Sequence, residues 1–165
     1  MSSQSSQMSL NAERQNIVDD ILKLYQLEPT HERFRHYAAD AVFEDPIAHA
    51  VGIGSVKAQF FGMPKVFNKS VTENYSITKN EPDEINIDLN QRYTFAIINK
   101  EKLLNSLVVL KFNDEGKIIL HQDLWDKKPL NKEGILGSFG DMVRKVSAKV
   151  LKWTISIPKE GEEKK

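Results

Sequence analysis

The sequence contains no cysteine among its 165 residues. It therefore has no disulfide framework, no thiolate nucleophile and no cysteine-ligated zinc site. Its four histidines form neither a His-x-His nor a His-Glu-x-x-His pattern, so a metal site has little support. Basic and acidic residues number 23 each, so no net charge attracts nucleic acid. We expect no metal, no cofactor and no nucleic-acid partner.

The sequence also lacks an apolar run close to the ~20 residues that span a bilayer. Residues 1–9 are rich in Ser and Gln, and the apolar segment of a secretory signal does not follow them. We predict a disordered leader at 1–9, a folded domain at 10–131, a helical extension at 132–158 and a charged tail at 159–165. These features favour a cytoplasmic protein.

The first part of the folded domain has helical periodicity. Apolar residues recur at helical spacing over 17–25, and Ser9 or Asn11 can cap this helix. A second, short helix is predicted over 30–38, with Thr30 as its cap. The two helices are expected to form a hairpin with a short connection.

A short strand and a third helix follow. Residues 41–46 are β-prone and end at Pro46, and a turn is predicted at Gly52–Gly54. Ser55 can cap the third helix, which is expected to break near Gly62 and Pro64.

From Lys69 onward the apolar periodicity changes to two. Strands are predicted over 69–78, 85–97, 104–112 and 118–125, with a hairpin turn at 113–116. The order indicates an α+β fold, a cone-shaped curved antiparallel sheet with three N-terminal helices. The mouth of such a cone is a usual place for a ligand.

Four short runs carry a family resemblance: Tyr37-x-x-Asp40-Ala41-x-Phe43-Glu44-Asp45-Pro46, Gly52-x-Gly54, Phe112-Asn113-x-x-Gly116-Lys117-Ile118 and Trp125-Asp126. They resemble the ketosteroid-isomerase-like, or nuclear-transport-factor-2-like, cone that SnoaL-like polyketide cyclases share. The resemblance covers about residues 11–130.

The resemblance implies a role for one carboxylate. Ketosteroid isomerases use the Asp of their Glu-Asp-Pro as a general base, which places Asp45 in that position. Their two oxyanion-binding positions, a tyrosine and a protonated aspartic acid, fall near Ile21 and Val108 here, and neither residue can donate a hydrogen bond. We therefore predict that the protein is not a ketosteroid isomerase.

Three residues are candidates for catalysis. Asp45 is either a carboxylate with a raised pKa in an apolar cavity or an Asp-Pro carboxylate that accepts nearby backbone amides. His121, Asp123 and Trp125 alternate on one face of the last strand, so the first two could form an acid–base pair or a polar pair near the mouth. The expected ligand pocket is lined by Tyr25, Phe43, Phe60, Tyr93, Phe95 and Trp125.

A second charged pair lies on the outer face of the sheet. Asp88 and Arg92 share the polar face of one strand and resemble part of the Asp–Arg–Asp set of epoxide hydrolases with this fold. A solvated cross-strand ion pair is the favoured interpretation.

A C-terminal amphipathic helix is predicted from Ser138 or Asp141 to about Ile157. It carries an apolar stripe and a basic flank. It can pack on the cone and gate its mouth, lie on an anionic membrane surface through residues 139–157, or bind a partner.

The sequence supports three functions. The first is binding of a small apolar or amphipathic molecule in the cone. The second is a lyase, cyclase or isomerase that uses Asp45 with His121 and Asp123. The third is a homodimer, membrane or partner module that uses the sheet face or the C-terminal helix.

Overall fold

The computed structural model describes residues 8–130, 137–150 and 158–162. Helix α1, Ala12–Tyr25, begins where the sequence predicts it, because Oδ1 of Asn11 accepts the backbone N–H of Arg14 at 2.8 Å. Its buried residues, from Ile17 to Tyr25, lie on one side and face the sheet.

The prediction of a second helix is wrong beyond its first turn. Only a four-residue 3₁₀ turn forms, His31–Phe34, and Thr30 makes no side-chain cap. Strand β1, Tyr37–Glu44, starts where the helix was expected to continue. The reason is long-range, since Tyr37 pairs with Ile118, whose N–H donates to the carbonyl of His36 at 2.8 Å. A three-residue strand that the sequence did not reveal, β2 (His49–Val51), follows.

The third helix begins earlier and ends later than predicted. Helix α2, Ile53–Val66, starts after Gly52, whose φ of +86° suits glycine, and no side chain caps it. Ser55 is therefore not its cap. Pro64 lies within the last turn instead of ending the helix; its missing N–H removes a single intrahelical hydrogen bond there.

The remaining strands are β3 (Phe67–Glu81), β4 (Glu84–Phe95), β5 (Glu101–Phe112) and β6 (Ile118–Trp125). They follow the predicted hairpin order. Residues of β4 alternate strictly between the buried face and the other face, as a period of two requires. Gly116, with a φ of +73°, supplies the left-handed residue of the predicted β5–β6 turn.

These strands form one six-stranded sheet in the order β2-β1-β6-β5-β4-β3. Every neighbouring pair is antiparallel except β1 and β6, which are parallel. The sheet is therefore mixed rather than antiparallel throughout. With helices gathered on its inner side, it confirms the predicted α+β cone.

A last helix, α3 (Gly137–Val150), follows the sheet. The predicted continuation to Ile157, which includes Trp153, lies outside the described residues, as do positions 1–7 of the predicted leader and 163–165 of the predicted tail. Within the described part of the chain, no helix has the length and apolarity needed to cross a membrane.

The core has two parts. The larger cluster lies between α1, α2 and the sheet. The smaller cluster lies at the end of the cone toward α3, where Val143 and Val146 are buried together with aromatic residues of the sheet. Phe139 of α3 packs its ring 4.9 Å from Trp125 and 5.4 Å from Tyr93, measured between ring centroids. Helix α3 therefore covers the open end of the cone.

Candidate functional site

A cavity of about 260 Å³ lies between the inner face of the sheet, α2 and α3. Five of the six predicted pocket residues line it, and Asp45 and Asp123 line it as well. The wall is completed by residues that the sequence did not single out: Ile47, Ala48, Ala58, Gln59, Gly62, Met63, Val66, Phe67, Leu104, Phe139, Val143 and Ser147.

The sixth predicted residue, Phe95, is fully buried but does not line the cavity. Its ring packs 5.1 Å from that of Phe67 and 5.5 Å from that of Phe139. It supports the cavity wall from behind. The alternation of β4 placed Phe95 on the correct face, but periodicity cannot give depth along a strand.

Asp45 combines both interpretations of its sequence context. Its Oδ1 accepts the backbone N–H groups of Ile47 at 2.8 Å and Ala48 at 2.7 Å, the pattern of an Asx turn. The carboxyl also lines the cavity. Burial, and then the negative charge of Asp123, raise its pKa to about 7, while the two amide hydrogen bonds act in the opposite direction. Asp45 therefore titrates near neutral pH.

Asp123 lies deeper, on the inner face of β6, and is 5% exposed. Its Oδ2 accepts the indole N–H of Trp125 at 3.2 Å. Its Oδ1 is buried without a hydrogen-bond partner among the described residues. Burial raises the pKa of Asp123 to about 6, against the opposing effect of the polar groups of Ser106, Trp125 and Tyr25. The hydroxyls of Ser106 and Tyr25 lie near the carboxyl, but within the described residues neither donates to Oδ1, which stays a free acceptor.

His121 lies behind the cavity and does not line it. Its Nε2 is 3.0 Å from the hydroxyl of Tyr25 and its Nδ1 is 2.8 Å from the hydroxyl of Tyr37. The ring is fully buried, and burial lowers its pKa to about 3. Within the described residues, no hydrogen bond joins it to Asp123. The predicted pair is therefore replaced by a Tyr25–His121–Tyr37 chain, in which a neutral imidazole donates to one tyrosine and accepts from the other.

The two positions to which the family pattern assigned oxyanion binding are core residues. Ile21 and Val108 are fully buried and apolar. Polar groups lie next to both positions: Tyr25 follows Ile21 by one helical turn, and Asp123 is the cross-strand partner of Val108. The cavity therefore has a hydroxyl and a carboxyl that motif counting did not place there.

Asp88 and Arg92, on the outer face of the sheet, do not pair with each other. Arg92 pairs with Glu73 of β3 at 2.6 Å, and Asp88 pairs with Lys127 and accepts an amide hydrogen bond from Asn105 at 2.9 Å. Asp88 and Arg92 therefore belong to separate surface contacts. In the described ranges, no three His, Asp or Glu side chains are grouped to hold a metal ion.

Comparison with known proteins identifies the fold. The sequence matches no protein-family model and no curated protein. Solved structures do resemble it, among them ketosteroid-isomerase-like, SnoaL-like, NTF2-like and polyketide-cyclase-like proteins. This class of cone-shaped proteins is the one that the sequence motifs predicted.

Three of these structures show the extent of the similarity. A provisionally assigned polyketide cyclase from Xanthomonas campestris has a TM-score of 0.59 at 10% identity, over 80% of this chain and 99% of that one. A provisionally assigned hydroxylase from Streptomyces galilaeus has a TM-score of 0.54 at 20% identity, over 72% of this chain and 92% of that one. A protein of unknown function from Catenulispora acidiphila, in complex with trimethylamine, has 0.54 at 16%, over 65% and 82%. At these identities the shared property is the fold.

Proposed function

We propose that the protein binds a small apolar or amphipathic molecule in the cavity beneath α3. The supporting observation is a cavity of about 260 Å³, partly open to solvent, with a mostly apolar and aromatic wall and few polar groups. Ligand pockets usually combine these properties, and the volume lies just below their usual range of roughly 300–1,000 Å³. The trimethylamine of the Catenulispora protein is a molecule of this size class, although that similarity extends to the fold alone.

The test fills the mouth of the cavity. Ser147 of α3 is half-buried and lines the cavity, so Ser147→Trp should displace a ligand without removing a core side chain. Lys145→Trp adds the same side chain at an exposed position of the same helix. A set of small neutral and charged fragments is screened by ligand-observed NMR. Binding that Ser147→Trp abolishes and Lys145→Trp leaves intact supports the proposal; no binding by any fragment contradicts it.

A second candidate is proton-transfer catalysis by Asp45 as a lyase, cyclase or isomerase. One observation favours it, since a general base works best when its pKa is near the working pH, and that of Asp45 is raised to about 7. In this scheme Asp123 and Tyr25 face the substrate, and His121 orients Tyr25. Deuterium exchange into carbonyl compounds in D₂O, lost in Asp45→Asn, would support it. An unchanged rate in Asp45→Asn would remove it.

The interaction roles remain proposals, and the structure bears on how they would work. The apolar residues of α3 that would meet a membrane, Phe139, Val143 and Val146, pack on the cone instead. A membrane role would therefore require α3 to leave the cavity. A homodimer would use the outer sheet face, where Val71 and Leu103 are 41% and 51% exposed. Sedimentation at increasing protein concentration tests the dimer.

A further inference from the structure

We propose that the ligand is a small organic ammonium ion, an amine with an apolar body and at least one N–H. This inference rests on the proposed binding function and names the chemical class of its ligand. Three properties of the cavity support it: the sign of its ionisable groups, the unsatisfied oxygen of Asp123, and the aromatic rings of its wall.

The ionisable groups of the cavity favour a cation. Asp45 and Asp123 line it, and no Lys, Arg or His side chain of the described residues does. The other titratable groups that face them are two tyrosines, Tyr25 from α1 and Tyr93 from β4, and the described side chains of α2 and α3 contribute none. Among the described side chains, an ionised carboxyl in this space therefore has no cationic partner. A ligand cation would supply the missing charge.

The hydrogen-bonding capacity of the wall specifies an N–H. Asp45 uses Oδ1 for two backbone amides, so one of its oxygens is already satisfied. Asp123, nine-tenths or more buried, has Oδ1 without a donor. A buried acceptor without a donor costs free energy, and a charged N–H donor compensates more strongly than a neutral one. A protonated amine meets both needs, whereas a quaternary ammonium ion has no N–H.

The rest of the wall fits the apolar body of such a cation. Phe67 and Tyr93 pack with 4.5 Å between centroids, and Trp125 and Phe139 with 4.9 Å at 84°. Both pairs line the cavity that the carboxyls share. Aromatic faces attract ammonium groups and their attached CH₂ groups, more strongly when water is excluded.

The inference predicts linkage between binding and protons. Both carboxyls have raised pKa values, so at mildly acidic pH they hold protons that a cation would displace. Affinity for an amine should therefore rise with pH, by up to about tenfold per pH unit for one proton released. A neutral ligand of the same shape should show no such rise.

The experiment compares three probes of one shape: cyclohexylamine, cyclohexanol and cyclohexanecarboxylate. Each is titrated into the full chain by calorimetry at pH 7.5 and pH 5.5. We expect the amine to bind at least tenfold more tightly than the alcohol at pH 7.5 and to weaken about tenfold or more at pH 5.5. The carboxylate should bind most weakly.

Asp123→Asn, which keeps the shape of the side chain, should weaken binding of the amine at least tenfold and binding of the alcohol by a much smaller factor, because the alcohol loses no charge partner. Asp126→Asn, an exposed change of the same charge, should affect neither. If the alcohol binds as tightly as the amine, the ammonium inference is refuted while the binding function stands. If no probe binds, or if Ser147→Trp leaves their binding unchanged, the binding function itself is refuted.

Discussion

The buried histidine gives the most direct test of the site geometry. His121 is fully buried between two tyrosine hydroxyls, and burial lowers its pKa to about 3. In the unfolded chain a histidine has a pKa near 6.5. Below pH 6.5 the unfolded state therefore binds a proton that the folded state does not. Stability from this group is complete above pH 6.5 and is lost as the pH falls toward 3.

The size of the effect follows from the same values. Each pH unit below 6.5 costs about 1.4 kcal/mol, so at pH 5 the loss is about 2 kcal/mol. Asp45 and Asp123 act in the opposite direction over this range, because their raised pKa values make the folded state hold protons longer. Wild type alone would therefore hide the histidine contribution. A difference between wild type and a His121 variant isolates it.

The variant is His121→Gln, since an amide can both donate to one tyrosine and accept from the other. Urea unfolding is followed by circular dichroism from pH 7.5 to pH 5. We expect the variant to be less stable at pH 7.5, because it loses ring contacts with Phe43 and Phe60, and the gap to close by about 2 kcal/mol at pH 5. His49→Gln, at an exposed histidine, is the control. A gap that is constant across this range would refute the neutral, buried histidine.

Three further predictions concern stability and are measured by the same urea unfolding. Relative to wild type, Asp123→Asn should gain about 2 kcal/mol of stability between pH 4 and pH 7, because it removes a carboxyl whose pKa is raised to about 6; a gap independent of pH would contradict this. Phe139→Ala should cost about 2 kcal/mol, less than a fully buried Phe because its ring is half-buried; no loss would mean that α3 does not cover the cone. Gly52→Ala should lower the free energy of unfolding by about 1 kcal/mol or more, whereas Gly54→Ala should be neutral or stabilising, since of these two glycines only Gly52 has a positive φ. Equal effects would contradict this.

Local patterns in the sequence were sufficient for most of the sheet. The alternation of β4 and the turn that Gly116 completes depend on residues close together in the chain, and both were predicted correctly. The second helix was predicted wrongly because the conformation of Tyr37 is determined by contacts with residues distant in the chain. Its hydroxyl binds His121, 84 residues away, and its backbone joins β6. Helical periodicity over 30–38 contains no information about that contact.

In the candidate site, too, some features follow from local sequence and others depend on distant contacts. Period two places His121, Asp123 and Trp125 on one inner face, and the structure has them there. Which of them reaches the cavity depends on Tyr25 of α1, whose hydroxyl lies 3.0 Å from His121, while Asp123 lines the space. The sequence predicts only that position 139 belongs to an amphipathic helix, because nothing local shows which surface that helix covers.

The parallel pairing of β1 with β6 has a consequence for the order of folding. Strands β3 to β6 pair as successive hairpins, so each can form as soon as its neighbour has been synthesised. Among the described strands, β1 joins the rest of the sheet only through β6, which is the last of the six in chain order. Until β6 has been synthesised, β1 and its partner β2 have no sheet to extend, and Asp45 and Asp123 cannot line a common cavity. The cavity can therefore form only after β6 has been synthesised, by closing the longest loop in the sheet.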